Sequence, residues 1–350
     1  MEGYNLKKVK RLLIFGLALL LVCCSKTPSK VEKEQTGTKS EEAIERDKKT
    51  TDNSDSSFPM TIVNNGREIV FENSPKRPVA LTYPSATIFA ALGISNHLVG
   101  LAEGMYNLED VKEEYRDALK DIPVLKAGKN ENTGVAPSFE TVLELNPDFA
   151  MGNVYSFMAK NIADQKDFDA NHIKTYCSGD KSIKDVYADI ENIGKIFGVS
   201  DKAQQLIAEL QQREENIKSK IKDKQPLGAI MYDCFGTDPF VAGGSSYQGI
   251  LLEEAGARNL FGDTQGLWVK TSWEALIDKN PDVIFVPDYA SSVVPIDEKI
   301  SFLKNKEEIK NVNAIKNDRI VIVKFIDLDP GIQNFDVLEY MAKSLYPDDF

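Results

Sequence analysis

Residues 138–152 read SFETVLELNPDFAMG, and residues 272–286 read SWEALIDKNPDVIFV. Both carry Ser-aromatic-Glu, then Asn-Pro-Asp after the same interval, then an apolar run, and the copies start 134 positions apart, at Ser138 and Ser272. A Ser ahead of a helix accepts free N–H groups of the first turn, and an early Glu meets the positive end of the helix dipole. In the second copy Thr271 and Glu274 also keep the S/T-x-x-E spacing of a capping box. Pro147 and Pro281 cannot continue a helix, and the apolar residues after them suit a buried strand. Each copy therefore reads as helix, turn and strand, written once per half of the chain.

Outward from the repeat, the halves keep matching. PVALTY (78–83) reads as a strand, PSATIFAALGI (84–94) as a helix closing near Gly93 and HLVGL (97–101) as the next strand. The second half offers GAIMY (228–232), a Gly-rich turn VAGGSSYQG (241–249), a helix ILLEEAG (250–256) and ARNLFG (257–262). Further strands are expected at 148–152, 173–176, 227–232, 282–286 and 320–324, and short apolar strands alternating with helices argue for parallel sheets in an α/β fold. MTIVNNGREIVFEN (60–73) alternates around Asn-Asn-Gly as a hairpin does. Between the halves, residues 182–223 keep helical periodicity with one break at FGVSD, and Ser200 is the expected N-cap of the stretch 201–223. That helix, about 35 Å long at 1.5 Å per residue, would be a stiff link allowing small rocking motions. The expected fold class is α/β, two Rossmann-like lobes with parallel sheets joined by a single long backbone helix: an N-terminal lobe over 58–180, a helical segment over 181–224 and a C-terminal lobe over 225–350. A chain of 350 residues suits two such cores.

The N-terminus carries a different signal. KKVKR precedes LLIFGLALLLVCCS, a basic region followed by an apolar stretch from Leu12 to Val22, too short to span a bilayer that needs about 20 helical residues. It reads as a secretory signal over 1–23, ending in a lipobox-like Leu-Val-Cys-Cys-Ser with Cys24 as the lipidated residue and Cys23 as the alternative. Residues 24–57, rich in Lys, Glu, Ser and Thr, bury too little apolar surface to order themselves and read as a flexible tether. The net charge is −12, and removing a signal with four basic residues and one acidic residue leaves about −15, which disfavours nucleic acid as a partner. Cys177 and Cys234 remain, one per lobe, and read as buried or cleft-lining thiols rather than a disulfide.

On these residues, from RPVALTYPSATIFAALG through both repeats to GIQNFDVLEYMAKSLYPDDF, the chain resembles the helical-backbone (class III) substrate-binding lipoproteins of bacterial ABC importers for iron-siderophores, haem and cobalamin. The resemblance implies a ligand cleft between the lobes, lined by loops at the carboxyl ends of the strands, where open parallel sheets bind ligands in general. The candidates in the first lobe are Tyr83, Ser85, Tyr106, Asn132, Asn153, Tyr155 and Phe157; those in the second are Phe235, Gly243, Ser245, Trp268, Tyr289, Phe325 and Asp327. Aromatic faces suit a large, partly apolar complex, and Gly lets backbone amides approach it. With only His97 and His172 in the chain, both placed in connections, a free-metal receptor is disfavoured. Arg67, Arg77, Arg116, Arg213, Arg258 and Arg319 fall outside these loops, which disfavours strongly anionic chelates. No cofactor is expected; the cargo is expected to be a ferric chelate, hydroxamate-like, or a corrinoid, with haem as a further alternative. The resemblance also assigns Glu140 and Glu274 to docking on the two permease subunits of an ABC importer with its ATPase. The expected receptor is a monomer, extracytoplasmic and lipid-anchored to the cell membrane. The sequence shows no G-x-S-x-G, Walker or H-E-x-x-H motif, so an enzyme is not expected; a membrane-tethered enzyme or an adhesin reusing the fold are the alternatives of another class.

Overall fold

The structure, a computed structural model, describes residues 58–126, 136–233, 238–290 and 294–350. The expected signal, tether and lipidated Cys24, together with Asn132, Cys234 and Phe235, lie outside the described residues. Strands β1 (Met60–Asn64) and β2 (Arg67–Phe71) form the expected antiparallel hairpin. Its turn is Asn65-Gly66, with φ of 49° and 79°, the left-handed pair that a tight two-residue hairpin turn requires.

The first lobe runs β3 (Pro78–Ala80), α1 (Tyr83–Ala91), β4 (Gly100–Ala102), α2 (Glu113–Leu119), β5 (Val124–Leu125), α3 (Phe139–Leu143), β6 (Phe149–Gly152), α4 (Gln165–Ala170) and β7 (Lys174–Cys177). Two helices follow, α5 (Lys184–Ile196) and α6 (Ser200–Ile221). The second lobe runs β8 (Leu227–Met231), β9 (Phe240–Ala242), α7 (Tyr247–Glu254), β10 (Ala257–Asn259), β11 (Trp268–Lys270), α8 (Trp273–Lys279), β12 (Val283–Asp288), α9 (Ile296–Asn305), α10 (Asn313–Lys316), β13 (Ile320–Lys324) and α11 (Asn334–Leu345). Among the described residues no helix is long and apolar enough to cross a membrane.

Both main sheets are parallel throughout, with strand orders β5-β4-β3-β6-β7 and β10-β8-β12-β13. The orders β4-β3-β6-β7 and β10-β8-β12-β13 correspond strand for strand, so the echo in sequence is an echo in topology. The second lobe adds an antiparallel pair, β9 with β11. Helix α6, 22 residues and about 33 Å long, packs on α5 and on α11. Arg213 on α6 meets Asp336 on α11 at 2.5 Å, and Lys112 of the first lobe reaches the same carboxylate at 3.4 Å. One apolar core runs through both lobes and α6, while separate clusters lie under α3 and α4 and under α8, α9 and α10.

The repeat has a detailed structural explanation. Ser138 Oγ accepts from the Thr141 amide at 3.2 Å, and Ser272 Oγ accepts from the Ala275 amide at 3.1 Å, so each Ser is an N-cap. Because the cap is Ser272, the Thr271–Glu274 box is not formed. Asn146 and Asn280 both sit in the left-handed region, at φ 46° and 44°, a conformation that Asn tolerates and that turns the chain before either Pro is reached. Asp148 then accepts the amides of Lys76 and Arg77 at 2.7 and 2.9 Å, and Asp282 accepts the Gly228 amide at 2.9 Å. In each lobe the Asp of Asn-Pro-Asp thus pins the beginning of the lobe's first parallel strand. Ser200 does not cap α6; it is the first helical residue, and Val199 ahead of it makes no side-chain bond.

Candidate functional site

A cavity of about 530 Å³ opens where the strand ends of the two lobes face each other. Tyr106, Asn153 and Tyr155 line it from the first lobe, and Trp268, Tyr289 and Phe325 from the second, so six of the residues expected from sequence converge. Phe325 is the centre of an aromatic stack: the Tyr289 ring lies 4.1 Å away at 28°, and the Tyr106 ring 5.8 Å away at 13°. A second pair, Phe240 and Trp268, stacks at 5.7 Å across the β9–β11 pairing. Stacked rings that keep a face free offer a rigid apolar platform at little entropic cost.

The other candidates sit elsewhere. Tyr83 begins α1 and is buried in the core, and Ser85 Oγ bonds Thr82 Oγ1 at 2.9 Å inside the helix cap. Phe157 packs edge-on against Phe168 beneath β6. Gly243 is required for a different approach from the one expected: a Cβ there would meet Gly266 O at 2.5 Å, and the amides of Gly243, Gly244 and Ser245 donate to Leu267, Thr264 and Gly266 carbonyls. The Gly-rich turn is spent on folding against residues 264–267, and its amides are not free for cargo. Asp327 faces a separate polar cavity of about 220 Å³ beside α6, shared with Asp110, Lys112 and Asp336. Burial there lifts its carboxyl to about 7.

Sequence reasoning missed the charged residues of the cleft. Asp329, two positions beyond Asp327, is 2 % exposed at its floor. It belongs to the second lobe and takes hydrogen bonds from the first: Asn153 Nδ2 donates to its Oδ2 at 2.8 Å, and the Tyr106 hydroxyl donates to the same oxygen. Burial pushes its carboxyl up to about 6, against the pull of those two donors. Asn334 Nδ2 holds the Asp327 and Asp329 carbonyls, and Gln333 Nε2 the Ile326 and Asp329 carbonyls, so the loop is anchored from α11 and the residue before it. On the opposite wall Lys299 of α9, its side chain 8 % exposed, lies 3.5 Å from Asp233 Oδ1 and 5.0 Å from the Tyr289 ring centre. Tyr289 in turn donates to Asp233 Oδ2 at 2.5 Å. Lys160 stands exposed at the rim. The charges of the described lining therefore balance, Lys160 and Lys299 against Asp233 and Asp329.

Burial and the neighbouring carboxylates raise the phenols of Tyr106, Tyr155 and Tyr289, Tyr155 to about 12. These groups stay protonated, as donors and ring faces rather than as phenolates. His97 stacks edge-on against Phe197 between α1 and β4, and His172 occupies a left-handed turn before β7; neither lines the cleft. Cys177, a free buried thiol, is pushed up to about 12 by burial and has no nucleophile's environment.

Two α/β lobes about a long helix, with an aromatic cleft between them, define a binding receptor. Residues 79–326 match the sequence profile of the periplasmic binding protein family, and the chain belongs to it. It is accordingly an extracytoplasmic substrate-binding protein of the ABC-importer type and not an enzyme. Among its relatives is an uncharacterised ABC transporter substrate-binding lipoprotein, YvrC, of Bacillus subtilis, 26% identical over 304 residues that cover 84% of this chain and 87% of the relative. The petrobactin-binding protein YclQ of the same organism is 25% identical over 71% of this chain and 74% of its own. A solved periplasmic binding protein from Veillonella parvula aligns with a TM-score of 0.70 at 25% identity, covering 82% of this chain and 97% of that one.

Proposed function

We propose that the protein captures a compact metal chelate, a ferric siderophore of neutral or weak net charge, in the inter-lobe cleft and delivers it to the permease of an ABC importer. The carrying observation is the aromatic stack Tyr106–Phe325–Tyr289, contributed by both lobes around a cavity whose charges balance among the described residues. A volume of about 530 Å³ suits a small-molecule site. No Arg lines it among the described residues, which speaks against a polyanionic catecholate held by guanidinium forks. The petrobactin-binding and probable siderophore-binding descriptions of two relatives support a siderophore as the cargo class. Titrating the mature protein with ferric chelates, haem and corrinoids while following Trp268 fluorescence tests the reading, with native mass spectrometry to identify what is retained. Quenching by a ferric hydroxamate supports it; capture of a corrinoid alone, or no response to any of them, overturns it.

Glu140 and Glu274 are the docking carboxylates of this reading. Both are exposed in the first turn of equivalent helices, and their own backbone amides, with the capping Ser138 and Ser272, hold both below the usual carboxylate range. Both helices pack on the outer core clusters. Two matching anions, one per lobe, suit a dimeric permease. Charge reversal at both positions is expected to abolish uptake by whole cells while ligand affinity stays within twofold; unaffected uptake would refute the docking role. Cys24 is the proposed lipidation site, in keeping with the lipoprotein description of one relative.

A further inference from the structure

Resting on the chelate reading, a finer statement about the cargo comes from how charge is distributed in the cleft. Lys299 and Asp233 neutralise each other on one wall, and Tyr289 completes that cluster. What remains among the described lining residues is Lys160 at the solvent-exposed rim and Asp329 at the floor. Asp329 Oδ2 is occupied by Tyr106 and Asn153, whereas Oδ1 takes no hydrogen bond among the described residues. No cation among the described residues pairs with it. A buried carboxylate with a spare oxygen is costly to leave unmet. The aromatic faces beside it, Tyr106 stacked on Phe325 and Phe325 on Tyr289, attract cations through their ring quadrupoles. Carboxylate and ring faces together are the chemistry that recognises an ammonium group.

We propose that Asp329 selects cargo bearing a protonated amine, which enters the cleft floor and donates to Oδ1 against the Tyr106–Phe325–Tyr289 stack, with the neutral metal centre lying outward. This makes Asp329 a specificity-determining residue for the cargo, separate from its bonds to Tyr106 and Asn153.

The test compares two probes that differ at one nitrogen: a linear ferric tris-hydroxamate ending in a primary amine, and the same complex with that amine acetylated. Calorimetric affinities of the full mature protein for the two are expected to differ on the order of tenfold or more in favour of the amine, the size of a charge-assisted hydrogen bond. Asp329→Asn should collapse that ratio to about two or less, whereas Tyr106→Phe, which removes a structural donor but keeps the carboxylate, should preserve it. Equal affinities in the native protein, or a ratio that survives Asp329→Asn, overturn this inference and leave the chelate reading standing. Failure of both complexes to bind overturns the two together. The comparison between probes within one variant does not depend on how well that variant folds relative to another.

Discussion

Replacing Asp233 by Asn strands the buried ammonium of Lys299, and the consequence can be worked from the cleft wall. At 3.5 Å the pair interacts by about 5 kcal/mol at an effective dielectric of about 20. Asp233 is 22 % exposed, so water screens part of this, and the Tyr289 ring at 5.0 Å leaves Lys299 about 1 kcal/mol of cation–π attraction. The expected loss is about 3 kcal/mol, at the low end of what removing one partner of a buried pair costs. Tyr289 also loses a charged acceptor, so ligand affinity should fall with stability. Urea unfolding followed by circular dichroism measures the first effect. The companion variant decides the mechanism: Asp233→Asn combined with Lys299→Met removes the orphaned charge, fills the same space with an apolar chain and should recover the native stability to within about 1 kcal/mol. A single variant costing less than about 0.5 kcal/mol, or a double variant no more stable than the single, would refute the reasoning.

Asp148→Ala and Asp282→Ala should each cost about 1–3 kcal/mol, since each removes a carboxylate that accepts backbone amides at the start of a lobe's first parallel strand, and thermal unfolding reads this directly. Stability should also fall as the pH rises from about 5 to 8.5. Asp329, Asp327 and Asp189 are raised by burial to about 6, 7 and 8, so the stability linked to their bound protons is complete below about pH 4 and lost as pH rises through those values. Each contributes a slope of up to about 1.4 kcal/mol per pH unit within its window, and a melting temperature that rises across that range would contradict the burial account.

The two lobes, their parallel sheets and the long helix were legible because they rest on period and repetition. Tyr106, Asn153, Tyr155, Trp268, Tyr289 and Phe325 follow from placing aromatic and amide residues beyond strand ends. Gly243 and Ser245 did not follow, because a Gly-rich turn before a helix has the same composition whether its amides face cargo or neighbouring backbone; here carbonyls 264, 266 and 267 take them. The different places of Asp327 and Asp329 depend on one turn. Residues Phe325–Leu328 form a 3₁₀ turn, which aligns Phe325 with Leu328 on the inner side and sends Asp327 toward α6. Phe325 thus lines the cleft, while Asp327 lines the smaller cavity beside α6. Lys299 had a visible signal: it falls on the inward stripe Ile296, Lys299, Ile300 and Leu303 of α9, and a lysine inside an apolar stripe must find an anion.

The repeat also explains how one motif serves two ends of the molecule. Its aspartates, half-buried, accept amides at the sheet edge and its glutamates are exposed, eight residues apart in each copy, at 140 and 148 and at 274 and 282. In the first lobe Arg77, whose amide donates to Asp148, sends its guanidinium back to the Leu145 and Asn146 carbonyls that end the helix segment carrying Glu140. The end of the helix segment that carries the exposed Glu is thereby tied to the edge of the sheet from which β3 and β6 run toward the cleft. In the second lobe Asp282 joins β8 to Asn313, and Asn280 accepts the Asn313 amide, tying the turn after α8 to α10. A helix tied this way moves with its lobe and not on its own. On the proposed reading, a change in lobe separation on cargo binding is expected to alter the spacing of Glu140 and Glu274.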